Sequence, residues 1–135
     1  MKSIDSLGVI FVDDEKHILD GIKREMKKAR PKWRLFYANA ALDAIDVINN
    51  NINDIDVLVC DIKMPILSGI DVLRIAKQAY PRLLRIALSG QLDVYTLLDS
   101  DKISHLHICK PISSAKLSDK IVEAYWSRKP PKIAT

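Results

Sequence analysis

Residues 57–61, with the sequence Val-Leu-Val-Cys-Asp, form a continuous apolar run that ends in a carboxylate. A run of this length is typical of a parallel β-strand that is buried on both faces. A second run, residues 9–12 (Val-Ile-Phe-Val), is followed in the same way by the acids Asp13 and Asp14. The two runs predict a buried parallel sheet whose strands end in acidic side chains.

Strand patterns alternate with helical patterns along the rest of the chain. Apolar residues recur at helical spacing after each run, and Pro31 and Pro81 mark the ends of two helices. The predicted elements are β1 (9–12), α1 (15–29), β2 (33–38), α2 (41–48), β3 (57–60), α3 (70–80), β4 (83–88), α4 (92–99), β5 (105–109) and α5 (117–125). Arg34 within β2 is tolerable if that strand lies at an edge of the sheet.

Five strand-helix units with right-handed crossovers predict an α/β fold, a three-layer α/β/α sandwich around a five-stranded parallel sheet. In such sheets the ligand site lies outside the carboxyl ends of the strands. That edge would bring together the polar residues that follow or end the strands: Asp13, Asp14, Asp61, Ser89 and Lys110.

The composition is that of an ordinary globular domain. Of 135 residues, 48% are apolar and 28% are charged, which excludes the disordered and collagen-like classes. We expect one domain, residues 1–127, followed by a basic, proline-containing tail or linker, residues 128–135. There is no secretory signal and no apolar run near the roughly 18 residues that span a membrane. We therefore expect a cytoplasmic protein that binds no membrane, with Cys60 and Cys109 as buried reduced thiols.

The carboxylates expected at the carboxyl ends of the strands repel one another, so a cation must compensate them. At about 4 Å each pair costs a few kcal/mol in a partly screened site. Mg²⁺ suits such an all-oxygen site, with Mn²⁺ as the alternative ion. Lys110 would add a second positive charge and Ser89 a hydroxyl, and both groups suit the oxygens of a phosphoryl group.

Each of these residues also has an ordinary structural explanation. An acid after a strand is often a turn former, Ser89-Gly90 can be a plain turn, and Lys110-Pro111 is a common dipeptide. Four strand ends carry an acid pair, a third acid, a hydroxyl and an ammonium. Coincidence does not readily explain this combination. The combination favours a site that stabilises a phosphoryl group held on a carboxylate.

Taken in order, these motifs resemble the receiver domains of two-component response regulators. The resemblance covers residues 7–127 and implies the flavodoxin-like strand order 2-1-3-4-5. The motifs are Asp13-Asp14 after β1, residues 61–65 (Asp-Ile-Lys-Met-Pro) with Gly69 behind them, Ser89-Gly90 after β4, and Lys110-Pro111 after β5.

The resemblance also implies a role for each residue near the phosphoryl group. Asp61 would be the phosphoacceptor, supplied by a sensor histidine kinase or a histidine phosphotransfer protein. Asp14, Asp61 and the backbone carbonyl of Lys63 would bind Mg²⁺ directly, and Asp13 would act through water. Lys63 and Gln91 would flank the water that removes the phosphoryl group. The chain would be a signalling switch and not an enzyme.

The resemblance further implies a switch that carries the signal to a partner. Lys110 would pair with Asp61 and then with the phosphoryl group, Ser89 would move toward that group, and the face formed by α4, β5 and α5 would respond. The same face would serve a homodimer. Where the family usually has Tyr or Phe as the switch partner, this sequence has His107, which titrates near neutral pH. A metal pair of His105 and His107 is disfavoured because two ligands are too few.

Other functions fit the residues less well. Phosphatases of the haloacid dehalogenase type also form an aspartyl phosphate, but their nucleophile belongs to a D-x-D pattern after the first strand, whereas Asp13 and Asp14 are adjacent. A flavodoxin needs a phosphate-binding loop at this place, where Asp13, Asp14 and Glu15 would repel phosphate. The alternative that stays open is a receiver that docks partners independently of phosphorylation.

The net charge of +4 raises nucleic acid as a partner. Residues 16–34 carry eight Lys or Arg and two acids, a net charge of +6, and the tail adds +3. No base-reading element accompanies them, so we expect no direct nucleic-acid binding. Basic α1 instead suits docking of the kinase or phosphotransfer protein. Either the chain is a single-domain regulator that acts by docking, or an output domain follows it in a longer protein. Residues 85–90 and 102–105 resemble receivers attached to HD-type phosphohydrolases or related output domains.

Overall fold

The fold is a parallel sheet covered by helices on both faces. The computed structural model describes residues 3–90 and 103–128. The strands are β1 (Gly8–Val12), β2 (Arg34–Ala38), β3 (Val57–Asp61), β4 (Leu84–Ser89) and β5 (Leu106–Cys109), and the helices are α1 (Lys16–Ala29), α2 (Ala41–Asn50), α3 (Gly69–Ala79) and α5 (Ser114–Arg128). The predicted helix α4 (92–99), Gln91 and residues 129–135 of the tail lie outside the described residues.

All five strands are parallel and lie in the order β2-β1-β3-β4-β5. This order confirms the predicted fold class and topology. Strands β2 and β5 form the two edges, so Arg34 lies on an edge strand, where its charge is tolerable. Because the strands are parallel, their carboxyl ends meet along one side of the sheet, which we call the carboxyl edge.

Two apolar layers hold the helices against the sheet. Ile10, Leu58 and Ala87 belong to the layer beneath α2 and α3, whereas Val59 and Ile86 belong to the layer beneath α1 and α5. Every residue of β1, β3 and β4 is buried, which explains why these strands are almost continuously apolar. The rigid sheet fixes the positions of the side chains at the carboxyl edge.

The prediction that both cysteines are buried was right for Cys60 and wrong for Cys109. Cys60 lies in the central strand β3, with strands on either side. Cys109 ends the edge strand β5, and its side chain alternates with that of Ile108, which packs into the layer beneath α1 and α5. An apolar run on an edge strand therefore does not ensure that each of its residues is buried.

His105, just before β5, makes a side-chain contact with β4. The backbone N–H of Arg85 donates to its Nδ1 at 2.9 Å, and the N–H of His105 donates to the Arg85 carbonyl at 2.7 Å. Nδ1 accepts such a bond only in a neutral imidazole. Although His105 as a residue is exposed, partial burial of its ring and the charges of Arg85 and Arg128 lower its pKa from 6.5 to about 4.

Acid is expected to destabilise the fold through His105. Unfolded, this group takes up a proton near pH 6.5, whereas folded it does so only near pH 4. The folded state binds fewer protons between these values, so the free energy of unfolding falls as the pH is lowered from 6.5 toward 4. Urea unfolding across this range measures the slope. His105→Gln, which keeps an acceptor but does not titrate, should show a shallower slope, and equal slopes would contradict the prediction.

Candidate functional site at the carboxyl edge of the sheet

Four strands bring the predicted polar residues to the carboxyl edge. Asp13 follows β1, Asp61 is the last residue of β3, Ser89 is the last residue of β4, and Lys110 follows β5. The backbone N–H of Lys110 donates to the carbonyl of Ser89 at 2.8 Å, which extends the β4–β5 ladder by one bond. The juxtaposition expected from the parallel sheet is therefore present.

Lys110 connects the two most buried carboxylates of the site. Its Nζ lies 2.7 Å from Oδ2 of Asp13 and 3.4 Å from Oδ2 of Asp61. Asp13 and Asp61 are 1% and 5% exposed. Their negative charges would be costly at this depth without the ammonium group, because a buried charge is stable only when it is paired.

The pKa values of Lys110 and Asp61 reflect this arrangement. Burial lowers the pKa of Lys110, but the hydrogen bond to Asp13 and the charge of Asp61 outweigh it, so the net direction is upward and the ammonium form is favoured. Burial raises the pKa of Asp61, and Lys110 together with the backbone N–H of Lys63 offsets only part of that shift. A cation at the site therefore stabilises the carboxylate form of Asp61.

A third carboxylate completes the acidic group. Ligand oxygens of Asp13, Asp14 and Asp61 all lie within 4.8 Å of one another, and Asp14 is exposed whereas the other two are buried. Three carboxylates with one lysine leave an excess of negative charge, and all three offer the oxygen ligands that Mg²⁺ prefers. The donor set fits this ion. The N–H of Lys63 donates to Oδ1 of Asp61 at 3.2 Å, which fixes the start of the following loop.

Sequence reasoning paired Lys110 with Asp61 and missed its shorter contact with Asp13. The 2.7 Å contact joins residues 97 positions apart, so no local pattern could reveal it. Oδ1 of Asp13 also accepts the backbone N–H of Glu15 at 3.0 Å. Asp13 therefore holds both Lys110 and the start of α1.

Gly69 places the loop after β3 directly against Asp61. A Cβ at residue 69 would lie 1.8 Å from the backbone oxygen of Asp61 and 2.7 Å from the Cα of Ile62. The N–H of Gly69 donates to the carbonyl of Ile62 at 3.2 Å, and Ser68 and Asp71 then form a capping box that begins α3. Only a residue without a side chain allows this close approach. Gly69 was predicted as part of a motif, but its contact with Asp61 was not.

The predicted switch residues lie on neighbouring strands. His107 pairs in register with Ala87, and Cys109 pairs with Ser89. The Nε2 atom of His107 is buried and has no hydrogen-bond partner among residues 3–90 and 103–128. Ser89 is 1% exposed. Nδ1 of His105, two residues before His107, accepts the hydrogen bond from the N–H of Arg85.

The chain matches the response regulator receiver domain family over residues 9–122. A receiver domain protein from Clostridium thermocellum is 30% identical, with a TM-score of 0.81 over 91% of this chain and 97% of that one. A CheY-like receiver domain protein from Methanospirillum hungatei JF-1 is 23% identical, with a TM-score of 0.83 over 92% of this chain and 97% of that one.

A curated relative is much longer than this chain. The hydrogenase transcriptional regulatory protein HoxA of Cupriavidus necator is 25% identical over 118 residues, which are 86% of this chain but 23% of that protein. Within the described part of the chain, no helix has the length and apolar character that crossing a bilayer requires.

Proposed function

Because the chain belongs to the response regulator receiver domain family, the signalling domains of two-component systems, we propose that Asp61 accepts one phosphoryl group from a phosphohistidine. The donor is a sensor histidine kinase or a histidine phosphotransfer protein. The observation that carries the proposal is the contact of Lys110 Nζ with the carboxylates of both Asp13 and Asp61. A carboxylate nucleophile beside a fixed ammonium group is an arrangement suited to phosphoryl transfer.

In the proposed step a carboxylate oxygen of Asp61 attacks the phosphorus atom of the phosphohistidine. The new P–O bond forms as the P–N bond breaks, and the electron pair of the P–N bond stays on the imidazole nitrogen of the donor. Lys110 offsets the negative charge of the phosphoryl oxygens as they enter the acidic site. The product is an acyl phosphate, and no redox change takes place.

The acidic group supports a requirement for Mg²⁺, with Mn²⁺ as a substitute. We propose that Asp14, Asp61 and the backbone carbonyl of Lys63 bind the ion directly and that Asp13 acts through water. The carboxylate oxygens of the three acids lie within 4.8 Å of one another, which supports this ligand set. When bound, the ion neutralises charge on the transferring phosphoryl group.

We propose that Ser89 and His107 carry the signal from the phosphoryl group to the face of α4, β5 and α5. Ser89 lies two residues after Ala87, which pairs in register with His107. A movement of the Ser89 hydroxyl toward the phosphoryl group would change the surroundings of the His107 ring, whose Nε2 lacks a partner among the described residues. Phosphorylation thereby changes a surface that is suited to partners or to a homodimer.

Acetyl phosphate with Mg²⁺ is expected to add one phosphoryl group to the wild-type chain. Asp61→Asn should not be labelled, because its amide is a poor nucleophile and forms no acyl phosphate. Intact mass spectrometry measures the added group, and chelation of Mg²⁺ should prevent it. Asp43→Asn, at an exposed acid of α2, is the matched control and should be labelled like the wild type. Equal labelling of Asp61→Asn would refute the assignment, and an unlabelled wild type would favour docking without phosphorylation.

We further propose that the output of this receiver lies in another domain or in a docking partner in the cytoplasm. The match covers only 23% of the length of HoxA, a transcriptional regulatory protein. This coverage supports a receiver that controls an output elsewhere in a longer protein. Helix α5 extends to Arg128, whose guanidinium donates to the carbonyl of Pro81 at 3.2 Å. The proposed receiver therefore includes residue 128, and the proposed tail or linker follows it.

A further inference from the structure

A basic groove of about 260 Å³ runs between α1 and the edge strand β2. Of the described residues that line it, none is acidic and none belongs to the carboxyl-edge site. Its walls include three basic side chains and three apolar or aromatic ones: Lys23, Lys27, Arg30, Trp33, Leu35 and Tyr37. The groove thus combines positive charge with apolar surface beside an edge of the sheet.

Strand β2 presents unused backbone groups beside this groove. It pairs with β1 alone, and the N–H of Arg34 donates to the carbonyl of Leu7 at 2.9 Å. Because the direction of bonding alternates along a parallel strand, the N–H and C=O groups of Leu35 and Tyr37 face away from β1. Backbone groups at an open edge can pair with a strand from another chain.

The charges of the groove decide which kind of strand can be added. Arg30 already pairs with Asp119 at 3.3 Å. Lys23 and Lys27 form no ion pair with any of the described residues, and Nζ of Lys23 lies 5.7 Å from the centroid of the Tyr37 ring. A second copy of this edge would bring lysines against lysines, so the charge opposes self-pairing and favours an acidic partner.

The spacing of the two lysines fits a strand with alternating acids. Lys23 and Lys27 are four residues apart on α1, which is about 6 Å along the helix axis. Side chains two residues apart on one face of a strand are separated by about 6.6 Å. Two acids with one residue between them can therefore meet both lysines. We propose that the groove binds an extended acidic segment of a partner protein, which adds to β2 as a sixth strand.

Tyr37 forms a fixed aromatic wall of this groove. Its hydroxyl oxygen is buried and has no hydrogen-bond partner within residues 3–90 and 103–128. An unpaired buried hydroxyl of this kind costs stability. The ring stacks on Phe11 at 5.8 Å between centroids, which limits its reorientation. An acid that pairs with Lys23 would therefore approach the face of this fixed ring.

Fluorescence anisotropy with the labelled peptide Val-Glu-Val-Glu-Val-Glu-Val tests the proposal on the full, unphosphorylated chain. The wild type should bind this peptide, but neither its lysine analogue nor one in which prolines replace valines and block strand pairing. Lys23→Glu with Lys27→Glu should weaken binding about tenfold or more, because attraction becomes repulsion. The control, Arg24→Glu with Lys28→Glu, changes the net charge of α1 by the same amount. It should weaken binding less than about twofold, because Arg24 and Lys28 do not line the groove.

Hydrogen exchange separates strand addition from general charge attraction. The peptide should slow hydrogen exchange at the amides of Leu35 and Tyr37 but not at Phe36, whose N–H faces β1. No binding by the wild type, equal losses in the two charge-reversed variants, or unchanged exchange at Leu35 and Tyr37 would overturn the proposal. Binding should persist in Asp61→Asn, so this result is independent of the phosphoacceptor assignment.

Discussion

Gly69→Ala is expected to destabilise the chain and to slow labelling by acetyl phosphate. The added Cβ would lie 1.8 Å from the backbone oxygen of Asp61 and 2.7 Å from the Cα of Ile62. Both atoms belong to the backbone, so no flexible side chain can move aside, and the loop or the end of β3 must shift. Overpacking of this kind costs about 1–3 kcal/mol, and any shift of Asp61 also disturbs its contact with Lys110.

Urea unfolding and the rate of acetyl phosphate labelling measure these two effects of Gly69→Ala. Gly21→Ala is the matched control, because a Cβ at residue 21 meets only the end of the Arg24 side chain at 3.9 Å. Gly21 lies inside α1, so alanine there should stabilise the chain by about 0.5–1 kcal/mol. If Gly69→Ala unfolds and is labelled like the wild type, the close approach to Asp61 has no energetic importance.

The sheet could be predicted from the sequence because a strand that is buried on both faces is a continuous run of apolar residues. Residues 9–12 and 57–60 are apolar without interruption, and the structure buries each of them between two layers of helices. The acids after these runs could also be located, because the carboxyl ends of parallel strands must meet. Cys109 shows where this reasoning stops, since β5, unlike β2 with Arg34, contains no Lys, Arg, Asp or Glu that would mark it as an edge strand.

Contacts between residues that are far apart in the sequence produce no such local pattern. The approach of Gly69 to Asp61 depends on the path of a loop, and the short contact of Lys110 with Asp13 depends on which carboxylate the ammonium reaches first. Of the groove beside β2, the sequence showed only the basic residues of α1. The significance of the groove depends on the strand order, which places the free edge of β2 next to Lys23 and Lys27.

Lys110→Ala is expected to cause the largest loss of stability among the site variants in the absence of Mg²⁺. Removal of the ammonium leaves Asp13 and Asp61, which are 1% and 5% exposed, without the cation that neutralises them. Breaking a buried ion pair at one partner costs about 3–5 kcal/mol, mostly because the other charge stays buried and unpaired. Urea unfolding in chelator measures this loss, with Lys116→Ala on the exposed surface of α5 as the control.

Two further experiments distinguish the loss of charge pairing in Lys110→Ala from the loss of side-chain packing. Asp13→Asn removes one of the buried carboxylates that Lys110→Ala leaves unpaired. The double variant should therefore lose less free energy of unfolding than the sum of the losses in the two single variants. Mg²⁺ should stabilise Lys110→Ala more than the wild type, because three carboxylates without the lysine attract the ion more strongly. Additive losses and equal stabilisation by Mg²⁺ would mean that Lys110 acts by packing alone.

The same variant tests whether Lys110 also transmits the signal. Labelling of Asp61 should persist in Lys110→Ala when Mg²⁺ is present, because the nucleophile and the acidic group remain, but it should be slower than in the wild type, because the ammonium that offsets the phosphoryl charge is missing. The response should be weak, because the strand β5 that leads to Lys110 also carries His107, and the variant lacks the ammonium that a phosphoryl oxygen would attract. Chemical shifts of β5 and α5 before and after labelling measure this response. Shift changes as large as those of the wild type would show that the signal travels through Ser89 without Lys110.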